Sequence, residues 1–285
     1  IRFLPEAGSR ASALKTGEID LATVIPAEQT GGLPQVLSRE GLEFPVFRLK
    51  STSGPLADPR VRQALNYAID KEALAKSLYG GYAKVAQCQP LSEALFGFNP
   101  DLEAYPYDPE KAKALLKEAG YNGETVTFLG PTGRWLKDAE LNEAVIGYLE
   151  KVGIKIKSQI MPFSAYLDIF TMPNPKKNPK TPDIGMVSAS NELYDASKIA
   201  TYYATEGALS TYSNAKVDED LKAAASTAEE AVRERAFADA TKVGCQDDPA
   251  LIFTVNLEDI YGASKRLDWT PRFDGSLYVP EMKLK

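Results

Sequence analysis

The sequence has no histidine. Without an imidazole, the commonest general base near neutral pH and the commonest transition-metal ligand are both missing. That excludes the serine, cysteine and zinc-hydrolase constellations that depend on one. Phosphate-cradling loops are missing too: there is no GxxxxGKS or GxxxxGKT segment and no GxGxxG after a strand. Cysteine is limited to Cys88 and Cys245, too few for a disulfide scaffold and too far apart for a CxxC zinc or redox site. Two unpaired buried thiols are the simpler expectation, and one long-range disulfide is the alternative. No apolar run approaches the roughly 20 residues that a membrane-spanning helix needs. Basic charge is not in excess either: 33 Lys and Arg against 39 Asp and Glu leave a net charge of −6, which disfavours a nucleic-acid binder that neutralises phosphates. No secretory leader is legible and the chain opens at Ile1 rather than at Met, so export and an upstream tether both stay open.

What is present is an ordinary globular composition: 285 residues, 44% hydrophobic and 25% charged, enough for one large domain or two modest ones. The opening residues read as a short strand, a helix around Arg10 to Lys15 ended by Gly17, and a strand from Ile19 to Ile25 closed by Pro26. Leu42 to Leu49 alternates as a strand whose Pro45 favours an edge or crossover position over a central one. Two helices announce themselves with Asp-Pro starts. Asp58 and Pro59 open a stripe of Val61, Ala64, Leu65, Ala68 and Ile69, while Asp108 and Pro109 open one of Ala112, Leu115, Leu116 and Ala119 that Gly120 ends. Asp70 caps a second short helix stopped by Gly80. Strand, helix and strand then follow as Thr125–Leu129, Asp138–Val152 and the alternating Ile154, Ile156 and Ile160, a βαβ-like pattern. Phe163–Phe170 reads as a helix, NPKKNPKTP as an exposed loop and Ile184–Val187 as a strand. The Ala-rich stretch Asp218–Val243 is helical with a break near Ser226, Leu251–Val255 is a buried strand, and the aromatic tail is turn-rich.

In α/β architectures ligands gather at the C-terminal ends of strands, which points to the loops after Leu129 and Val187. The first loop offers Arg134 and Trp135, a cation beside a stacking surface suited to a carboxylate and an apolar group. Packing of Trp135 against the following helix is the competing reading. The second loop offers Asn191, Glu192, Tyr194 and Asp195, able to receive an ammonium or to hydrogen-bond a polar ligand, although solvated turn residues look the same. Paired carboxylates, Glu192 with Asp195 or Asp247 with Asp248, are the one catalytic arrangement the composition leaves open.

Four ordered blocks carry a more specific signal: ALKTGEIDLA, PLADPRVRQALNYAIDKEAL, GFNPDLEAYPYDPEKAKALLKEAG and LEKVGIKIK. In order and spacing they resemble the family 5 extracellular solute-binding proteins of oligopeptide, dipeptide and nickel importers. The resemblance implies an α/β fold of the periplasmic-binding-protein type (type II, cluster C-like), with one complete lobe and part of a first. Residues 1–44 and 256–285 would belong to the first lobe and 45–255 to the second, with Phe44–Lys50 and Leu251–Asn256 as connecting strands. The family's chain is longer on its N-terminal side, so the first lobe is expected to leave apolar surface and sheet edges uncovered. The implied role is that of a binding protein, not an enzyme. It would work without cofactor or metal, as a monomer in the periplasm or outside the cell, with a lipid anchor as one form of attachment. It would close on a peptide or similar small solute and present it to an ABC permease. A carboxylate-based hydrolase or a peptide receptor without a transport partner are the alternatives. The family's peptide binders carry a Trp three residues before an Asp-Tyr pair whose Asp takes the peptide ammonium. Aligning that loop on Asp195 puts Ala189 at the Trp position and Glu192 at the acidic one, a partial match that leaves the ligand unidentified.

Overall fold

Both Asp-Pro pairs act as the helix starts they predict. In the computed structural model, which describes residues 1–171 and 175–285, Asp58 accepts the Arg60 N–H and Asp108 the Lys111 N–H. Each following proline gives up a backbone donor that the first helical turn leaves unused anyway. In chain order the first elements are α1 (Ala7–Lys15), β1 (Leu21–Ala22), β2 (Gln35–Glu40), β3 (Glu43–Leu49), α2 (Pro59–Tyr67), α3 (Lys71–Ala73), β4 (Ala83–Val85) and α4 (Pro109–Glu118). They are followed by β5 (Thr125–Thr132), α5 (Asp138–Lys151), β6 (Lys155–Pro162), α6 (Phe163–Phe170), β7 (Ile184–Ser190) and α7 (Ala200–Tyr203). The chain finishes with α8 (Ala215–Ala225), α9 (Glu230–Lys242), β8 (Leu251–Phe253), β9 (Val255–Ala263), β10 (Leu267–Asp268) and β11 (Lys283–Leu284).

The strands build two larger sheets. One has the order β6-β5-β7-β3-β8, with β5 parallel to β6 and β7, and β3 antiparallel to β7 and β8. The other is centred on β9, which pairs antiparallel with β2 along Glu258–Ala263 and with β1 and β4 at its two ends. Side-chain alternation along β3 and β7 sends Phe44, Val46, Val187 and Ala189 to one face of the five-stranded sheet and Phe47, Leu49, Ile184 and Met186 to the other. A separate core covers each face. The β9 sheet has its own two smaller cores, one around Leu14, Ile25 and Ile260 and one around Tyr261, Leu267 and Trp269.

The structure departs from the sequence reading in several places. Ile1 to Leu4 form no strand, with Ile1 and Phe3 exposed, and the strand read over Ile19–Ile25 shrinks to Leu21–Ala22. Pro45 lies within an interior strand, not on an edge. The β8 pairing stops at Val46, so the missing Pro45 N–H falls just where that ladder ends, and β3 still crosses from one sheet to the other. The loop NPKKNPKTP is not wholly exposed: Pro175 and Thr181 are buried, while its first residue, Asn174, lies outside the described residues. Cys88 and Cys245 are not free thiols. They form a disulfide, Cα atoms 5.6 Å apart, across 157 residues of sequence.

Three polar side chains on the α2–α3 stretch are buried: Arg62, Asn66 and Lys71. The Lys71 ammonium donates to the carbonyls of Asn66 (2.7 Å), Tyr105 (3.2 Å) and Ile69 (3.5 Å). Burial lowers its pKa from 10.5 to about 7, only partly opposed by the charge of Asp70. Between those two values the unfolded chain holds a proton that the folded chain has released, so stability rises with pH across that window. Chemical denaturation at pH 7 and pH 9.5 should show a gain on the order of 2–3 kcal/mol that Lys71→Met abolishes. Buried tyrosines, raised by desolvation, reverse the trend only above about pH 10.

Candidate ligand-binding cleft

The two sheets face each other across a cleft of about 360 Å³. On the five-stranded side it is walled by Glu43 and Pro45 of β3, by Met186, Ser188 and Ser190 of β7, and by Arg134, Trp135, Leu136 and Glu192. The opposite wall is Ile25, Gly41, Leu257 to Ile260 of β9, and Asp274. Alternation fixes which β3 and β7 residues look into it, because Glu43 pairs with Ser190 and Pro45 with Ser188 on one face of the sheet.

Arg134 and Trp135 are held by the residue that begins the next helix. The buried Asp138 carboxylate gathers the backbone N–H groups of Gly133, Arg134, Trp135 and Ala139 at 2.8–3.1 Å. This clamps the turn that leaves β5. Trp135 then stands edge-on to Phe163 of α6 at 5.4 Å, and the Arg134 guanidinium lies over both rings and pairs with Glu43 at 3.2 Å. The indole thus meets α6 through Phe163 and also packs against the core that holds Leu141, Val145 and Leu149 of α5, the helix that follows it. Its Nε1, like Ser188 Oγ on the same wall, is shut off from solvent without a hydrogen-bond partner among the described residues.

The residues after β7 separate. Glu192 lines the cleft, accepting Ser190 Oγ at 2.5 Å and Lys198 Nζ at 3.2 Å. The Ser190 hydroxyl, then its own backbone N–H and Lys198, hold its carboxyl below the ordinary range. Asn191, Tyr194 and Asp195 do not line the cleft. Asn191 is buried and its amide bonds to both the N–H and the carbonyl of Asp195. Tyr194 is exposed, takes the left-handed conformation at φ 56°, and leans on Phe273 at 6.2 Å. Asp195 caps the turn at Ser197 and receives two hydrogen bonds from Arg233, at 2.8 and 3.0 Å. Burial pushes its carboxyl up, but the Ser197 N–H and Arg233 outweigh that and keep it below the usual value. Glu192 and Asp195 thus answer to different cations. Asp248 is committed as well, to Arg62, Tyr212 and Asn214.

Sequence reading missed the opposite wall. Glu258 and Asp259 sit within β9, a strand not expected from the pattern beyond Asn256, and Glu43 at the start of β3 falls within the expected strand Leu42–Leu49 without being singled out as a site residue. Among the described residues no group of three or more acidic, cysteine or histidine side chains is placed to hold a metal ion, and no helix is long and apolar enough to cross a membrane.

Comparison with known proteins places this geometry. Residues 1–235 match the family of bacterial extracellular solute-binding proteins, family 5 Middle. Heme-binding protein A of Haemophilus influenzae is 34% identical over 164 residues, covering 54% of this chain and 30% of that protein. The glutathione-binding protein GsiB of Pectobacterium atrosepticum is 34% identical over 158 residues, with the same coverage of 54% and 30%. Among solved structures, HbpA2 from Haemophilus parasuis superposes with a TM-score of 0.82 at 24% identity, over all of this chain and 57% of that one. The oligopeptide-binding protein AppA from Bacillus subtilis, in complex with a nonapeptide, gives 0.79 at 20% identity, over 99% of this chain and 59% of the other. The alignments thus span about a third of the two sequence relatives and less than two thirds of the two structures. At these identities the superpositions establish the fold, an α/β architecture of the type II periplasmic-binding-protein kind.

Proposed function

The chain belongs to the family 5 bacterial extracellular solute-binding proteins, and from that premise we propose that it serves the capture step of an ABC importer, holding a peptide or another small solute without transforming it. The cleft between the two sheets carries this reading. Its walls come from two sheets whose cores are separate apart from Ala83 and Val255, which pack into the core of the five-stranded sheet, and two short crossings join them, Gly41–Leu42 between β2 and β3 and Thr254 between β8 and β9. We place the lobe boundaries at these crossings, with residues 1–40 and 255–285 in one lobe and 43–253 in the other, because a boundary after residue 44 would divide β3, whose Glu43 and Phe44 already pair with Ser190 and Ala189 of β7. Closure around a solute would exclude water and offer a changed surface to the permease. Arg134, Trp135 and Glu192 are the earlier candidates that the cleft wall supports. Asn191, Tyr194 and Asp195 shape the loop beside it. A site outside the cytoplasm, in the periplasm or at the cell surface, fits the Cys88–Cys245 disulfide. A monomeric state and a lipid anchor belong to the same reading.

Native mass spectrometry of the protein, purified without refolding, should detect a retained solute. Adding that solute back to stripped protein should raise the melting temperature by several degrees at a hundredfold excess over Kd. Turnover of the solute into a new mass would overturn the holding role. A protein that retains nothing and responds to no small solute would overturn capture itself.

A further inference from the structure

We propose that the solute held in this cleft is an organic cation, presenting an ammonium or guanidinium group between Asp259 on one wall and Glu43 on the other. The inference rests on the capture role proposed above and adds the charge of what is captured.

The cleft wall carries five carboxylates, Glu43, Glu192, Glu258, Asp259 and Asp274, against one cation, Arg134. Three of the five have partners: Glu43 pairs with Arg134, Glu192 with Lys198 and Asp274 with Arg272. Glu258 and Asp259 have no ion pair among the described residues. For Asp259 this is a specific feature of the fold. Its directly opposed cross-strand residue is Arg39, on the same face of the sheet, which is the usual way to neutralise such a carboxylate. Arg39 turns away and donates to the Pro271 carbonyl at 3.4 Å instead. The Asp259 carboxylate is then seated between two glycines: a Cβ on Gly41 would lie 3.1 Å from it and one on Gly275 3.4 Å. Both positions leave it room and neither supplies a side-chain donor.

The charges also converge from the two sides. Asp259 stands on β9, Glu43 on β3, and although the Asp259 side chain is open to the cleft, crowding by both walls and the Glu43 charge raise its carboxyl above the ordinary range. Like charges facing each other from separate sheets resist closure, and a cation arriving between them removes that resistance. The cation is not a metal ion, because the carboxylates are too dispersed for one and no imidazole exists. An ammonium or guanidinium needs only hydrogen-bond acceptors on opposite sides and an apolar surface beside it, and Trp135 and Pro45 line the same cleft.

Isothermal titration of the protein tests this with three tripeptides differing in the central residue, alanine-lysine-alanine, trialanine and alanine-glutamate-alanine, together with spermidine and glutathione. At least one cationic probe should bind roughly tenfold or more tighter than its neutral or acidic counterparts, with affinity falling as salt rises. D259N and E43Q should each cost the cationic probe about tenfold more than they cost the neutral one. The Asp259 side chain makes no hydrogen bond among the described residues, so its variant should fold, and an unchanged melting temperature checks that. Neutral or anionic probes binding as tightly, a retained solute that is neutral or anionic, or cation binding undiminished in both variants would overturn the charge assignment while leaving capture standing. Binding of no probe together with no retained solute would overturn both.

Discussion

With Cys88 and Cys245 both changed to serine, the protein is expected to unfold with about 2–5 kcal/mol less stability than the oxidised parent. The bridge spans 157 residues of sequence, for which the loss of chain entropy in the unfolded state alone amounts to about 5 kcal/mol. Strain and residual structure in the reduced chain lower that figure. Both sulfurs are buried, and the Tyr105 hydroxyl donates to the Cys245 carbonyl at 2.7 Å, so the bridge sits in a packed and hydrogen-bonded setting. Guanidinium denaturation with and without reductant measures the effect. The parent should fall to the level of the double variant when reduced, and the variant should not respond. An equal midpoint for all three would show that the crosslink constrains nothing.

A comparable loss, about 3–5 kcal/mol, is expected for Arg62→Met, because it strands a carboxylate. Arg62 is 2% exposed, pairs with Asp248, and donates to the carbonyls of Pro249 (2.8 Å), Leu56 (2.5 Å) and Ala57 (2.9 Å). Removing it takes donors from three carbonyls and leaves Asp248 only Tyr212 and Asn214. The double variant R62M/D248N should recover part of the loss, since no charge is then left uncompensated. Urea titrations of the two single variants and the double complete the cycle, and strict additivity would mean that the pair is not coupled.

These two features mark where sequence reasoning stops. Caps and stripes made α2 and α4 legible, because an Asp-Pro start and a 3.6-residue apolar spacing act locally and need no knowledge of the fold. Arg62, Asn66 and Lys71 look, in the same pattern, like ordinary residues of a solvent-facing side. Only the arrival of Pro249, Leu251 and Tyr105 from distant sequence makes their burial tolerable. The disulfide is likewise a matter of which loops meet. Half of the cleft was readable from loops that follow strands, which gave Arg134, Trp135 and Glu192. The other half was hidden because β9 carries Glu258 and Asp259 in its middle. Val255, Leu257, Tyr261 and Ala263 keep a two-residue period that Asp259 interrupts at a core-parity position. An inward-pointing charge of that kind is a signal that can be sought in a strand, and here it faces the cleft.

Because β3 and β8 pair with each other, Val46 opposite Phe253, the long excursion between them leaves and returns at one place. Its two ends are hydrogen-bonded neighbours, so part of the entropy of closing so large a loop is met by a short ribbon at its base. Such an excursion has the connectivity of an inserted module. It can be lengthened or exchanged in its remote parts without disturbing the register of the sheet from which it springs.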